Sequence, residues 1–169
     1  MPSIVAVSWL LAGCRPDAAG TPTAVLTGVP SLGELVGTPA ATIPPLPTLD
    51  PQAIGLGRKV YAQHCAVCHG ANLEGHPDWQ TPNEDDSFRP PPHDASGHTW
   101  HHDDALLIET IRLGGTRLTG NLQGLSNMPA FGESLTDQEI AAVLTYIKSV
   151  WPEDIRQLQW ERTFIIGNQ

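Results

Sequence analysis

Two cysteines and a histidine stand together at Cys65, Cys68 and His69, in the order Cys-x-x-Cys-His. Covalent attachment of haem requires this spacing, because two thiols three residues apart can add across the two vinyl groups of one porphyrin. The histidine that follows is carried beneath the ring, where a ring nitrogen can bond the iron. The motif therefore predicts one covalently bound haem c with His69 as an iron ligand.

Three other uses of the two thiols are open. A thioredoxin-like redox pair is expected near alternating strands and helices, and no strand pattern flanks the motif. A zinc site needs four ligands, and Cys65 and Cys68 could recruit His93 and His98 at a permitted spacing. A disulfide between the two cysteines is the third use. Haem attachment is favoured, since the zinc site would leave His69 without a role.

A second iron ligand is predicted at Met128. The chain has two methionines, Met1 and Met128, and Pro129 follows the second. Proline fixes its own φ and keeps the preceding residue extended, so the thioether can be presented with little conformational search. Methionines usually fill core space, but the position and isolation of Met128 favour ligation. Methionine opposite histidine is a ligand pair that raises the reduction potential of haem.

The length, charge and composition of the chain limit which other functions are possible. The chain has 169 residues, enough for one domain with extensions, and its formal charge is −9. Binding to nucleic acid needs a basic surface that neutralises phosphates, and no run of Lys or Arg is present. Acidity favours encounters with partners that carry basic patches. Aromatic residues make up only 6% of the chain, so a buried porphyrin would supply apolar volume that the side chains lack.

The N-terminus predicts a membrane tether. Leu11-Ala12-Gly13-Cys14 follows a short apolar stretch and resembles the bacterial lipoprotein box, in which the cysteine is acylated. We therefore expect a signal peptide over residues 1–13 and a lipid on Cys14. No Lys or Arg precedes Cys14, so the signal is atypical or the start lies upstream of Met1. Residues 14–50 are rich in proline and predict a linker with a reach of roughly 30 Å.

Helix signals divide the rest of the chain. Asp50-Pro51 begins a helix that runs into the haem motif, because aspartate caps free amides and proline suits the first turn. A second helix is predicted from about Asp103 to Leu113. A third follows Thr136, whose spacing to Glu139 is that of a capping box, and it ends before Pro152. Residues 153–166 predict a short further helix.

The order of these features over residues 51–152 resembles that of a class I monohaem cytochrome c. This resemblance implies an all-α cytochrome c fold of about three to five helices around one haem c. It implies that the first and last helices cross near Gly57 and Tyr61 on one side and Tyr146 on the other. It also implies that Trp100, before the middle helix, donates a hydrogen bond to a haem propionate.

Four of the seven histidines lie between Arg89 and Asp104. His93 and His98 are candidates for further propionate contacts, and a carbonyl of Pro90–Pro92 could accept a hydrogen bond from His69. Histidine is also the commonest metal ligand. A second metal could be bound by a subset of this segment and two nearby carboxylates, namely His98, His101, His102, Asp94 and Asp103.

These features predict electron transfer rather than enzymatic catalysis. The first interpretation is a lipid-tethered carrier on the extracytoplasmic face of a bacterial membrane, with redox proteins as transient partners. The second is a permanent haem c subunit of a respiratory or photosynthetic oxidoreductase complex. A third, a haem peroxidase or gas sensor, requires that Met128 does not bind the iron.

Overall fold

The protein is described here by a computed structural model that covers residues 42–167. All regular elements in that range are helical, which confirms the predicted all-α fold. Residues 42–50, the end of the predicted linker, have no regular secondary structure. The predicted signal peptide, Cys14 and the rest of the linker lie outside the described residues.

The first helix carries the haem motif, as predicted. Helix α1 spans Pro51–Val60, and the side chain of Asp50 caps it by accepting a hydrogen bond from the Gln52 amide at 2.9 Å. The chain continues through one π-helical turn, Tyr61–Cys65, into the short helix α2, Ala66–His69. Helical backbone geometry thus extends through the whole Cys-x-x-Cys-His motif.

The middle of the chain is mostly loop, with one longer helix. Helix α3 spans Asp104–Leu113, and its N-terminal amides are capped by the Asp103 side chain, which accepts from Leu106 N at 3.0 Å. Short 3₁₀ turns lie on either side, at Thr99–His101, Gly114–Arg117 and Gly120–Leu122. The predicted bounds of this helix are confirmed.

Helix α4 spans Asp137–Ser149 and begins with the predicted capping box. The Glu139 amide donates to Thr136 Oγ1 at 3.2 Å, and the Thr136 amide donates to Glu139 Oε2 at 2.9 Å. These two bonds satisfy amides that have no partner within the helix. The helix ends at Val150, before Pro152, as the sequence predicts.

Helix α5 spans Glu153–Gly167 and confirms the helix predicted for the tail. It packs against α3 and against the 3₁₀ turn Thr99–His101. Trp160 Nε1 donates a hydrogen bond to the carbonyl oxygen of Pro44 at 2.9 Å. This bond holds the end of the linker against the domain. Within residues 42–167, no helix has the length and apolarity that crossing a bilayer would require.

The core lies where α1 crosses α4. A Cβ atom at Gly57 would overlap the carbonyl oxygen of Ala142, so only glycine allows this approach of the two backbones. The rings of Tyr61 and Tyr146 meet edge to face, with centroids 5.5 Å apart. The crossing implied by the family resemblance is therefore confirmed. Its contacts continue into a buried apolar cluster formed by Val60, Leu73, Leu135, Ile140, Val143, Ile147 and Trp151.

Candidate haem-binding site

The two motif cysteines lie on either side of the junction between the π-helical turn and α2. Cys65 is partly buried and Cys68 is exposed, and their sulfurs are not joined to each other, which contradicts the disulfide interpretation. Burial, with a smaller effect of nearby Cys68, raises the pKa of the Cys65 thiol to about 11. Val67, between the two cysteines, is 87% exposed and leaves the motif open to solvent on one side.

The His69 ring is held in one orientation by a backbone carbonyl. His69 is 8% exposed, and its Nδ1 donates a hydrogen bond to Pro91 O at 2.9 Å. A carbonyl oxygen can only accept, so Nδ1 carries the proton and the Nε2 lone pair is left for a metal. The predicted proline partner is thus confirmed. Burial lowers the pKa of His69, with a smaller opposing effect of the Pro91 bond, and keeps the ring neutral.

The imidazole ring of His93 packs against that of His69. The two rings are stacked, with centroids 4.0 Å apart and an interplanar angle of 23°. His93 Nδ1 lies 2.9 Å from Thr99 Oγ1, whose own hydroxyl donates to Pro92 O at 3.3 Å. Since the threonine proton is used in that bond, His93 Nδ1 is the donor to Thr99. Burial is the main cause that lowers the pKa of His93 well below its ordinary value.

The backbone of His93 is fixed as firmly as its ring. Its amide donates to Leu73 O at 2.7 Å, and its carbonyl oxygen accepts from Trp151 Nε1 at 2.7 Å. Trp151 is 4% exposed and lies just after α4. The end of α4 therefore supports the loop that holds His69. Sequence reasoning missed Thr99 and Trp151 because neither carries a motif that indicates a contact with the His93 loop.

The rest of the histidine segment does not form a metal site. His98 stacks on the indole of Trp79, with ring centroids 5.2 Å apart, and His101 stacks on Trp100 at 3.7 Å. No group of three or more His, Cys, Asp or Glu side chains within residues 42–167 is arranged to hold a metal ion. The described residues therefore give no support to the second-metal hypothesis or to the zinc interpretation of Cys65 and Cys68. His98 and His101 are used in ring stacking instead, and the Asp103 carboxylate caps α3.

Met128 lies in a loop that is held through its backbone. The Gly115 amide donates to Met128 O at 2.8 Å, and the Phe131 amide donates to Ile111 O at 3.1 Å, so the loop is fixed to the end of α3. The Phe131 ring lies edge to face with that of His64, with centroids 6.0 Å apart. His64 is the residue before Cys65, so this contact brings the methionine loop next to the haem motif.

Two buried donors fit the carboxylates of a haem. Trp100 Nε1 and Arg117 Nε are buried and have no hydrogen-bond partner among the residues that the structure describes. A buried N–H without an acceptor costs free energy, so each of these groups requires a partner. Haem propionates would supply acceptors for these donors, since hydrogen bonds from indole and guanidinium groups to carboxylates are charge-assisted and strong. Together with a neutral, oriented His69, these donors show that the residues present fit a haem.

Arg117 was not among the residues that the sequence indicated. It lies in the 3₁₀ turn after α3, between the predicted propionate donor Trp100 and the predicted ligand Met128 along the chain. The sequence does contain a feature that could have drawn attention to Arg117. It comes just after the Gly114-Gly115 pair that ends α3, in a chain with only nine Lys and Arg residues. Sequence alone did not show that its Nε would be buried.

Comparison with known proteins points to one family. The family described as Cytochrome c matches residues 54–151. The chain is also 31% identical over 105 residues to the Cbb3-type cytochrome c oxidase subunit FixP of Bradyrhizobium sp. (strain ORS 278), an alignment covering 62% of this chain and 30% of that protein. FixP of Sinorhizobium medicae (strain WSM419) is 27% identical over 104 residues, covering 62% and 32%.

The chain spans about a third of the length of these curated relatives. No solved structure matches it significantly. The family match covers more than half of the chain and includes the Cys65-x-x-Cys68-His69 motif, whose histidine is oriented for a metal. The chain therefore belongs to the cytochrome c family and carries covalently bound haem c.

Proposed function

We propose that this protein is a single-electron carrier in which His69 and Met128 would both bind the haem iron. The observation that carries the proposal is the bond from His69 Nδ1 to Pro91 O, which leaves Nε2 for the iron. When bound, the haem supplies an iron that alternates between Fe(II) and Fe(III). Cys65 and Cys68 would hold the porphyrin covalently. No acid, base or nucleophile is required of the chain, so it is not an enzyme by itself.

Three observations support Met128 as the second ligand. It is the only methionine besides Met1. Its loop is joined to the end of α3 by the bond from Gly115 N to Met128 O, and it approaches the motif through the Phe131 and His64 rings. A second bond, from Met128 N to Ser126 Oγ at 3.3 Å, restricts the backbone on the other side.

Trp100 and Arg117 are proposed as the propionate donors. Both present buried N–H groups whose partner is supplied by a carboxylate in this proposal. His93 and His98 stay predictions for this role, and their observed contacts are with other groups. His93 faces His69 and Thr99, while the exposed side chain of His98 lies on Trp79.

The Met128→Ala variant tests the ligand set, with Leu122→Ala as the matched control. Leu122 is 42% exposed and lies in the same connection between α3 and α4. Met128→Ala should keep the haem through extraction with acidified acetone, because both thioether bonds remain. Its ferric spectrum should become high-spin, its potential should fall, and its reduced form should bind carbon monoxide rapidly. Leu122→Ala should match the unaltered protein in all four measurements.

A Met128→Ala protein that stays low-spin and does not bind carbon monoxide would exclude methionine ligation. A resting ferric protein that is high-spin before any substitution would instead support the peroxidase or gas-sensor interpretation. Both results come from one optical and electron paramagnetic resonance measurement on the same preparations.

We also propose that Cys14 carries a lipid that holds the haem domain at the extracytoplasmic face of the membrane. The lipoprotein-like sequence that ends at Cys14 supports this. Intact-mass analysis should show one haem and one lipid modification, and Cys14→Ser should release the protein from the membrane fraction. An unmodified Cys14 would contradict the anchor.

A second candidate function is a fixed subunit of a terminal oxidase complex. The likeness to two FixP proteins, which are named as subunits of Cbb3-type cytochrome c oxidase, favours it. Purification in mild detergent distinguishes the two functions. A carrier should leave the membrane as a monomer, whereas a fixed subunit should co-migrate with membrane partners at constant stoichiometry.

A further inference from the structure

Helix α5 follows the residues that match the family, yet it holds a fully buried polar side chain. Gln159 is 1% exposed. Its Nε2 lies within hydrogen-bond distance of His102 O at 3.1 Å, Asp104 Oδ1 at 2.6 Å and Thr163 Oγ1 at 3.0 Å. A buried amide costs free energy unless its two N–H groups are bonded, and these three acceptors satisfy them. Gln159 therefore joins α5 to the start of α3.

The same acceptor, Asp104, is also bound from α4. Lys148 Nζ lies 2.5 Å from Asp104 Oδ1 and 2.7 Å from Oδ2, and the lysine side chain is only 14% exposed. Thr163 Oγ1 accepts from the Asp104 amide at 3.1 Å. Helices α3, α4 and α5 thus meet at Asp104, the first residue of α3. Its carboxylate forms an ion pair with Lys148 and accepts a hydrogen bond from Gln159. Partly buried networks of this kind hold one geometry when all members are satisfied.

This network lies directly beside the turn that carries Trp100. His102, whose carbonyl accepts from Gln159, is the residue after the 3₁₀ turn Thr99–His101. Trp100 also lines a groove of about 420 Å³ together with Leu158 and Ile165 of α5. The turn that carries Trp100 is therefore held by α5 in two ways: by the bond from Gln159 to His102 O and by the packing of α5 against the turn.

We propose that Gln159 is a positioning residue for Trp100 and that α5 thereby influences the reduction potential of the haem. The proposal rests on the role of Trp100 as a propionate donor given above. An N–H donor must lie about 3 Å from its acceptor, so a small displacement of the turn removes the bond. Loss of a donor leaves the propionate charge less compensated, which favours Fe(III) and lowers the potential.

The variants Gln159→Leu and Gln157→Leu test this on the complete haem protein. Gln157 is a matched control because it is a partly buried glutamine on the same helix whose Nε2 bonds only Glu161, one turn away. Gln159→Leu should lower the midpoint potential in the same direction as Trp100→Phe, by a smaller amount. Gln157→Leu should leave the potential unchanged. In the ferrous protein, hydrogen exchange of the Trp100 indole N–H should become faster in Gln159→Leu alone.

The double variant provides the sharper test. If both residues act through one hydrogen bond, Trp100→Phe with Gln159→Leu should lower the potential no further than Trp100→Phe alone. Additive shifts would overturn the proposal. The proposal would also be overturned if Gln159→Leu unfolded at a lower temperature but had the same midpoint potential as Gln157→Leu. Gln159 would then have a structural role only. If Trp100→Phe itself leaves the potential unchanged, the propionate role of Trp100 fails, and this inference fails with it.

Thr163→Val keeps the test possible if Gln159→Leu does not accumulate as a haem protein. It removes one hydroxyl from the same network with little change in volume, and Thr163 is only partly buried. Its potential should shift in the same direction as that of Trp100→Phe and should not shift further in the Trp100→Phe background. A potential that does not respond to Thr163→Val would count against the proposal.

Discussion

His69 and Met128, the two proposed iron ligands, are held in different ways. His69 is fixed through its side chain, by the bond to Pro91 O and by stacking against His93, which is itself bonded to Thr99. Met128 is half-buried and is fixed through its backbone, by a bond from Gly115. The histidine side is therefore a packed network of side chains, whereas the methionine side is a loop attached to the end of a helix.

Because the two ligands are held differently, substitutions on the two sides should have different effects on folding stability and on iron ligation. A substitution in the packed network leaves buried groups without partners, so it should cost folding free energy while the covalent haem and Pro91 keep His69 in place. A substitution in the methionine loop should cost comparable free energy and should also move a ligand that has no covalent attachment to the porphyrin. The free energy of unfolding and the spin state of the iron therefore distinguish the two sides.

Gly114→Ala should have the largest effect. Gly114 has φ +55°, and a Cβ atom there would overlap the carbonyl oxygens of Met128 and Pro129. We expect the free energy of unfolding to fall by about 1–3 kcal/mol and the ferric haem to become partly high-spin, because the loop must move. Denaturant unfolding and electron paramagnetic resonance measure the two. Gly120→Ala is the control, since φ is also positive there but nothing lies within 4 Å, and it should keep the low-spin spectrum.

Thr99→Val should reduce stability without changing ligation. Thr99 is 6% exposed, and its hydroxyl links His93 to Pro92. Leaving these groups unpaired should lower the free energy of unfolding by about 1–3 kcal/mol. Thr145→Val, which removes only a bond within α4, should have a much smaller effect. A change of spin state in Thr99→Val would show that the histidine side is not the more rigid of the two.

Thr136→Ala should cost about 1 kcal/mol of folding free energy, the usual effect of losing an N-cap. It removes the capping box of α4, where the methionine loop ends. Because Met128 is held at α3 rather than at this cap, we expect the midpoint potential to stay unchanged. Thermal unfolding combined with redox titration checks both results, and a shifted potential would indicate that α4 also restrains the methionine.

The smallest predicted effect is a dependence of stability on pH from His98 and His102. Partial burial is the main cause that lowers the pKa of both, and nearby basic side chains add to it, first His101 at His98 and first His98, then Arg117, at His102. The unfolded chain then binds more protons than the folded chain below pH 6.5, the ordinary value for histidine. Stability should be complete above that pH and should fall as the solution becomes more acidic. Replacing both residues with Asn should flatten this slope, measured by denaturant unfolding from pH 7 to pH 5.

Much of the fold could be predicted because its signals are local. The caps at Asp50, Asp103 and Thr136 each involve residues within one helical turn, and all three helices begin where these residues predict. Gly57 required the family resemblance, because the clash that excludes a Cβ atom involves Ala142 of another helix. The metal hypotheses gain no support from the structure for a similar reason, because His98 and His101 stack on the indoles of Trp79 and Trp100, contacts that their spacing in the sequence did not indicate.

By itself, the sequence determined the covalent haem c, the Cys65-x-x-Cys68-His69 motif and the limits of the helices, because each of these depends on residues a few positions apart. The tertiary structure decided which carbonyl orients His69, that Arg117 Nε and Trp100 Nε1 are buried donors, and that α5 is joined to α3 through Gln159. Packing alone could decide these points. The partners are far apart along the chain, and burial is what makes their pairing necessary.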